Sequence, residues 1–142
     1  MTRVGFYIIE NTDPDSRVRL ALKLTAKAHG RGHRIFLHCE SEAQARALDE
    51  QLWTFRPASF IPHALIEDDA VAQVCLAWGQ EPAGHDDLLI NLDLAVPPFF
   101  SRFHRVAEVV TQDPHSLEAL RASWSFYRER GFALEKHDIR SV

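Results

Sequence analysis

The chain has 142 residues, of which 46% are hydrophobic and 25% are charged, as is ordinary for one globular domain. Its formal net charge of -4 argues against a broad phosphate-binding surface but leaves room for a local basic patch. No stretch approaches the roughly 20 apolar residues of a membrane span, and the amino terminus lacks a signal-peptide pattern. We therefore expect a cytoplasmic protein that does not bind membranes and forms a single domain over residues 1–142.

Strands and helices alternate at the start of the chain. Residues 4–9 are almost all apolar, which is typical of a strand buried on both faces. Asp13-Pro14 can begin a helix, which we expect to end near residue 28, and a second strand is predicted over residues 34–39. Ser41 and Gln44 form a capping-box pattern that begins a second helix. This order predicts an α/β fold with a parallel sheet.

The remaining elements continue the pattern without a repeat or a linker. Strands are predicted over residues 74–78, 88–92, 105–110 and 132–136, a short helix over 97–103, and a last helix from Asp113-Pro114 to about residue 130. Residues 53–63 have no clear period and are predicted to form a structured loop.

The two cysteines, Cys39 and Cys75, both lie in apolar runs and have no CxxC spacing. We expect them to be small buried hydrophobic residues in a reducing compartment.

The sequence carries no standard nucleotide-binding motif. No segment fits a P-loop, and Gly30-Arg31-Gly32 ends a predicted helix where a dinucleotide motif would begin one. We therefore expect no cofactor, because an α/β fold alone does not supply a nucleotide site.

The eight histidines do not stand at metal-binding spacings, and no metal site is expected. His63 could be a ligand, an acid or base, or a hydrogen-bonded anchor, and we favour the anchor. His85-Asp86-Asp87 could form an acid–base pair or a metal site, but a solvated charged turn is the favoured interpretation. The alternative hypothesis is a small enzyme that uses His63 or this triplet in a cleft at the carboxyl edge of the sheet.

Two regions are unusual for core packing alone. The loop after the second helix contains Trp53, Phe55 and Phe60, which either fold over the sheet or form an exposed patch for a partner protein. The last helix has an apolar stripe of Leu117, Leu120, Trp124 and Tyr127, bordered by Arg121 and Arg128. These arginines could mark the boundary with solvent, which we favour from the pattern alone, or bind an anionic, partly hydrophobic peptide.

Short sequence blocks spread over nearly the whole chain carry a family resemblance. They are Phe6-Tyr7, Leu48-Asp49-Glu50, Leu52-Trp53, Ser59-Phe60-Ile61-Pro62-His63, Leu89-Ile90-Asn91-Leu92, Glu108-Val109-Val110, Tyr127-Arg128 and Gly131-Phe132. In this order they resemble the chi subunit family of bacterial DNA polymerase III, an accessory component of the clamp-loader assembly.

The resemblance implies a three-layer Rossmann-like fold with a mostly parallel sheet and no working nucleotide-binding motif. It also implies a non-catalytic adaptor in DNA replication, with no strong direct binding of nucleic acid. Two partners are implied: the psi subunit of the clamp loader and the acidic C-terminal tail of single-stranded DNA-binding protein. Trp53, Phe60, Pro62 and His63 are then the candidates for binding psi, and Arg121, Trp124 and Arg128 are the candidates for binding the tail.

Overall fold

The computed structural model describes residues 1–54 and 60–142. Its strands are β1 (Arg3–Ile9), β2 (Ile35–His38), β3 (His63–Leu65), β4 (Val74–Ala77), β5 (Leu88–Asn91), β6 (Arg105–Val110) and β7 (Ala133–Ile139). Its α-helices are α1 (Asp15–Gly30), α2 (Glu42–Thr54) and α3 (Pro114–Glu129), and Phe100–Arg102 forms a short 3₁₀ helix.

The strands form one sheet in the order β3-β4-β2-β5-β6-β1-β7. Every strand pair is parallel, so the expected mostly parallel sheet is parallel throughout. In the central register, Phe6 of β1 lies opposite Glu108 of β6 on one side and Lys136 of β7 on the other.

Helices cover both faces of the sheet and make it the middle of three layers, as in Rossmann-like folds. Successive residues of a strand point to opposite faces, so Leu37 packs with α1 and α2, whereas Phe36 packs on the face of α3. The core is therefore divided into two apolar clusters. Cys39 belongs to the first and Cys75 to the second, which confirms that both are buried, unpaired thiols.

The predicted starts of α2 and α3 have a clear hydrogen-bonding basis. The Asp113 carboxylate accepts a 3.0 Å hydrogen bond from the Ser116 backbone N–H and caps α3. Ser41 Oγ accepts a 3.1 Å bond from the Gln44 N–H at the start of α2. These caps satisfy backbone donors that have no partner within the helix.

Several sequence-based boundaries differ from the structure. The helix α2 continues to Thr54 and β3 begins at His63, so both ends of the predicted 53–63 loop belong to regular elements. Phe55 and Ser59 lie outside the described residues. The predicted helix over residues 97–103 is only a 3₁₀ turn, and the last strand extends to Ile139. In the part of the chain that the structure describes, no helix is long and apolar enough to cross a bilayer.

Candidate functional site

Trp53 at the end of α2 and Phe60 and Pro62 just before β3 are exposed apolar residues, here together named the aromatic surface. The Trp53 residue is 58% exposed and Phe60 is 90% exposed, and Pro62 is also exposed. The alternative in which this segment buries its aromatic side chains over the sheet is therefore wrong for these two. Large exposed aromatic groups are unfavourable in water and are typical of protein-binding surfaces.

His63 supports the aromatic surface from beneath. Its side chain is buried, with Nδ1 lying 2.7 Å from the Ile61 carbonyl oxygen and Nε2 lying 2.9 Å from the Asp49 carbonyl oxygen. The ring centroid lies 4.3 Å from that of Trp53. These contacts confirm the hydrogen-bonded anchor, and they connect the end of α2 to the start of β3. His63 thus helps to position Trp53.

Arg121, Trp124 and Arg128 lie on one side of α3, here named the α3 surface. The two arginines are exposed and seven residues apart, which places them about 10 Å apart along the helix axis. Trp124 is half-buried, with its ring 5.0 Å from that of Phe6 in β1. The α3 surface therefore combines two guanidinium groups with a partly accessible indole.

Tyr127 does not contribute to the exposed stripe, because it is fully buried. Its hydroxyl donates a 2.6 Å hydrogen bond to Glu108 Oε2, and the Asn91 side-chain amide donates a 2.9 Å bond to Glu108 Oε1. Asn91 Oδ1 in turn lies 3.2 Å from Nδ1 of His38. This buried polar network ties α3 to β6, β5 and β2.

Burial raises the pKa of Glu108 to about 7, although the bonds from Tyr127 and Asn91 oppose the rise. The sequence pattern predicts that Glu108 lies in a strand but does not predict a role for it. The available signal was one carboxylate in the otherwise apolar centre of residues 105–110, since a buried carboxyl group needs hydrogen-bond partners.

A cation–aromatic pair at the end of α3 was also missed. The Arg130 guanidinium carbon lies 3.7 Å from the centre of the Phe126 ring, close enough for a cation–π interaction. The four-residue spacing of these two side chains was the available signal, because residues four apart are neighbours on a helix.

The aromatic surface and the α3 surface belong to opposite layers of the molecule. Leu48 and Leu52 of α2 pack in the cluster on one face of the sheet, whereas Trp124 and Tyr127 of α3 pack in the cluster on the other. One protein bound to each surface would thus be separated by the sheet.

Residues 1–135 match the family model described as DNA polymerase III chi subunit, HolC. The chain belongs to this family. It is 48% identical over 142 residues to DNA polymerase III subunit chi of Pseudomonas aeruginosa, covering 100% of both chains. It is 32% identical to that of Escherichia coli and 29% identical to that of Haemophilus influenzae, with 94% of this chain covered in each case. The shared name, DNA polymerase III subunit chi, confirms the resemblance seen in the sequence.

In this member of the chi family, a side chain of the protein itself occupies part of the carboxyl edge of the sheet. Doubly wound folds commonly bind ligands at this edge. Arg17 of α1 is buried there; its Nε donates a 3.1 Å hydrogen bond to the Val109 carbonyl, and an Nη donates another to the Leu92 carbonyl. Burial lowers the pKa of Arg17, and nearby carboxylates, Glu40 foremost, oppose this. Arg17 thereby satisfies carbonyls at the ends of β5 and β6.

The histidines of the enzyme hypothesis lie at the opposite, amino edge. His63 begins β3, and the triplet His85-Asp86-Asp87 immediately precedes β5, so their expected location in a cleft at the carboxyl edge was wrong. In the described ranges 1–54 and 60–142, no group of three or more His, Cys, Asp or Glu side chains is placed to hold a metal ion.

The expected solvated turn is wrong for His85, which is only 2% exposed, whereas Asp86 is exposed as expected. Its Nε2 lies 2.7 Å from the Ala72 carbonyl oxygen and its ring packs on Phe36, and burial lowers its pKa. Asp87 accepts a 2.9 Å hydrogen bond from the Arg34 backbone N–H. The triplet therefore stabilises the start of β5, a role that its polar sequence does not predict.

Proposed function

We propose that this chi-family chain is a non-catalytic adaptor that binds two proteins at once. Its aromatic surface binds the psi subunit of the clamp loader, and its α3 surface binds the acidic C-terminal tail of single-stranded DNA-binding protein. The observation that carries this proposal is the position of the two surfaces in opposite layers. Such an arrangement allows both partners to bind together and couples the clamp loader to protein-coated DNA.

The exposure of Trp53 and Phe60 supports the psi contact. Aromatic side chains supply much of the binding energy at the centre of protein interfaces, because they remove a large apolar area from water. Pro62 adds rigid apolar area between Ile61 and His63, both of which are buried. His63 contributes indirectly, since its enclosed ring supports Trp53 and fixes the segment that leads into β3.

The chemistry of the α3 surface fits an acidic peptide that ends in a phenylalanine carboxylate. Arginine guanidinium groups bind carboxylates with paired, charge-assisted hydrogen bonds. Neither Arg121 nor Arg128 forms an ion pair with any residue that the structure describes, so both are available to a ligand. Trp124 offers apolar surface between them to the terminal phenyl ring.

A titration with fluorescent peptides tests the tail site. A peptide that copies an acidic, phenylalanine-terminated tail is expected to bind saturably, with an affinity that weakens as salt rises, because charge pairing at an open surface is screened. A peptide without the terminal phenylalanine and the Arg128→Ala variant should both lose this binding. Arg140→Ala is the matched control, since Arg140 is an exposed arginine outside α3. Absence of binding at low salt would disprove the tail site.

A ternary-complex measurement tests the adaptor as a whole. Purified psi subunit and single-stranded DNA-binding protein should form one complex with the chain in sedimentation analysis. Phe60→Ser should release only psi, and Arg128→Ala should release only the single-stranded DNA-binding protein, so each variant is the control for the other. Mutual exclusion of the two partners on the wild-type chain would contradict the proposal.

A further inference from the structure

A groove runs beside α1 on the face of the sheet that α1 and α2 cover. It encloses about 590 Å³ between the carboxyl-terminal half of α1 and the inward-facing residues of β5, β6, β1 and β7. α1 packs chiefly against β6 and β2, which leaves the groove open between α1 and the inward-facing residues of β1 and β7. Parallel sheets are normally covered on both faces, which makes an open area here unusual.

The groove is lined by cations and contains no carboxylate. Lys23 and Lys27 of α1 form one wall together with Arg31, the residue that follows α1. Arg105 at the start of β6 lies on the other side, and no Asp or Glu is among the described residues that line the groove. This composition is notable in a chain that has 20 acidic and 16 basic side chains. The chain therefore has a local basic site although its net charge is negative.

These four cations have no carboxylate within ion-pair distance among the described residues. By contrast, ion pairs are formed by Arg3, Arg17, Arg19, Arg46, Arg102 and Lys136. Two carboxylates near the groove are already bound by basic groups. Asp87 lies 3.0 Å from His33 Nδ1, and Glu135 pairs with Arg3 and lies 3.4 Å from Nε2 of His137.

The floor of the groove is apolar and carries an aromatic platform. The rings of Tyr7 and His137 are stacked, with centroids 4.6 Å apart and planes 12° from parallel. Gly5 lies beside them, and a Cβ at this position would approach the Tyr7 ring to 3.3 Å. The glycine therefore leaves the space that the two rings occupy against the sheet.

We propose that this groove binds a short stretch of single-stranded nucleic acid. Lys23, Lys27 and Arg31 follow one another at four-residue steps, about 6 Å apart along the helix, so they form a row instead of converging on one point. A row of cations suits the successive phosphates of a chain. The Tyr7–His137 platform suits an unpaired base, since base stacking on aromatic side chains together with a basic groove is the common basis of single-strand binding.

The aromatic platform favours nucleic acid over an acidic peptide, which would use the cations but gain little from flat stacking. The contact is expected to be weak and independent of base sequence, because it consists of phosphate pairing and stacking. It is compatible with a chain that binds DNA chiefly through partner proteins.

Fluorescence anisotropy with a labelled oligothymidylate of about 16 nucleotides tests the groove on the full chain. If four cations pair with phosphates, the affinity should fall about 50-fold between about 50 mM and about 200 mM salt. The Lys23→Gln/Lys27→Gln double variant should bind several-fold more weakly at low salt and show a log–log salt slope smaller by about 1.4. Lys136→Gln, on the opposite face of β7, should leave both the affinity and the slope unchanged.

One further variant and two competing ligands distinguish single-stranded nucleic acid from an acidic peptide or a single nucleotide. Tyr7→Leu should weaken oligothymidylate binding about fivefold or more, with little change in the salt slope, because it removes stacking and not charge. An unlabelled oligoglutamate should compete poorly at equal charge, and thymidine monophosphate should compete poorly at equal concentration. Full-strength binding by the double lysine variant, or equal competition by either of these ligands, would overturn the proposal. Circular dichroism of each variant verifies that it is folded.

Discussion

The Tyr127 hydroxyl lies 2.6 Å from Oε2 of Glu108, and this hydrogen bond joins α3 to the centre of β6. Both residues are buried, while Arg128, the residue next to Tyr127, is exposed. A bond on the buried side of the helix therefore helps to position the part of α3 that carries Arg128, which we propose to bind a partner. Loss of this bond should therefore weaken the proposed binding of a partner at the α3 surface.

Glu108 should make the stability of the protein depend on pH. Burial raises its pKa from 4.5 to about 7, so between these values the folded state holds a proton that the unfolded state has released. Below about pH 4.5 this proton adds on the order of 3 kcal/mol to the free energy of unfolding. The contribution is lost as the pH rises to about 7.

Urea unfolding of the wild type and of Glu108→Gln measures this contribution. The variant cannot titrate at this position, and every other group titrates in both proteins. The wild-type free energy of unfolding minus that of the variant should therefore decrease as the pH rises through this window. A difference that stays constant, or that grows with pH, would contradict the raised pKa.

Removal of the Tyr127 hydroxyl should destabilise the fold most at high pH. Tyr127→Phe keeps the ring but leaves one Glu108 oxygen without a donor, which should cost about 1–3 kcal/mol. The loss should be larger above pH 7, where the carboxylate is charged. Tyr7→Phe is the matched control, because the Tyr7 hydroxyl forms no hydrogen bond to the described residues. Equal effects of the two substitutions would show that the Tyr127–Glu108 bond contributes nothing measurable.

Both thiols should be unreactive in the native protein. Burial raises the pKa of Cys39 to about 12 and that of Cys75 to about 11, and neither thiol is accessible. Since the thiolate is the reactive form, a disulfide reagent such as dithionitrobenzoate should label neither at about pH 8 and both in denaturant. Rapid labelling of one thiol per chain under native conditions would show that the region around it opens.

The alternation of strands and helices was predictable from local patterns. Apolar runs marked β1, β2, β5 and β6, and Asp113-Pro114 marked the start of α3, because burial and capping act over a few residues. The strand β3 was missed since only three residues, His63–Leu65, pair with β4 after a proline-containing segment. Its pairing depends on the tertiary structure and leaves no periodic pattern.

The candidate site was predictable only in part, for the same reason. Exposure of Trp53 and Phe60 could not be deduced, because a loop with this composition can equally fold over a sheet. The basic groove was also hidden, since Lys23 and Arg105 are far apart in the sequence and become neighbours only when α1 packs beside β6. His85 illustrates the reverse case, a polar residue in a charged segment that the fold buries.

Reversal of one charge on α3 should strengthen the proposed tail binding. Glu118 is exposed, precedes Arg121 by three residues, and forms no ion pair with the described part of the chain. Its negative charge should repel an acidic peptide, so Glu118→Lys is expected to tighten binding about threefold to tenfold at low salt.

Glu50→Lys provides the control for this substitution. It produces the same change in net charge on α2, in the opposite layer of the fold. Peptide titrations at low salt should therefore show little change for Glu50→Lys. Similar tightening by both variants would mean that overall charge, and not the α3 surface, determines the affinity.

Trp53 and His63 should differ in how their loss affects the proposed binding of psi. Trp53 is 58% exposed, so Trp53→Ala should remove binding energy with little effect on folding, and we expect the affinity for psi to fall about 30-fold or more. The buried His63 ring reaches the backbone of Ile61 and of Asp49, so His63→Ala should lower the free energy of unfolding and weaken psi binding indirectly.

The two effects separate when urea unfolding and calorimetric titration with psi are measured on the same proteins. Trp53→Ala should change the second measurement and not the first, whereas His63→Ala should change both. Addition of His63→Ala to Trp53→Ala should then produce little further loss of affinity, because His63 acts on psi through the position of Trp53. Fully additive losses would instead assign His63 a contribution of its own, independent of the ring that it supports.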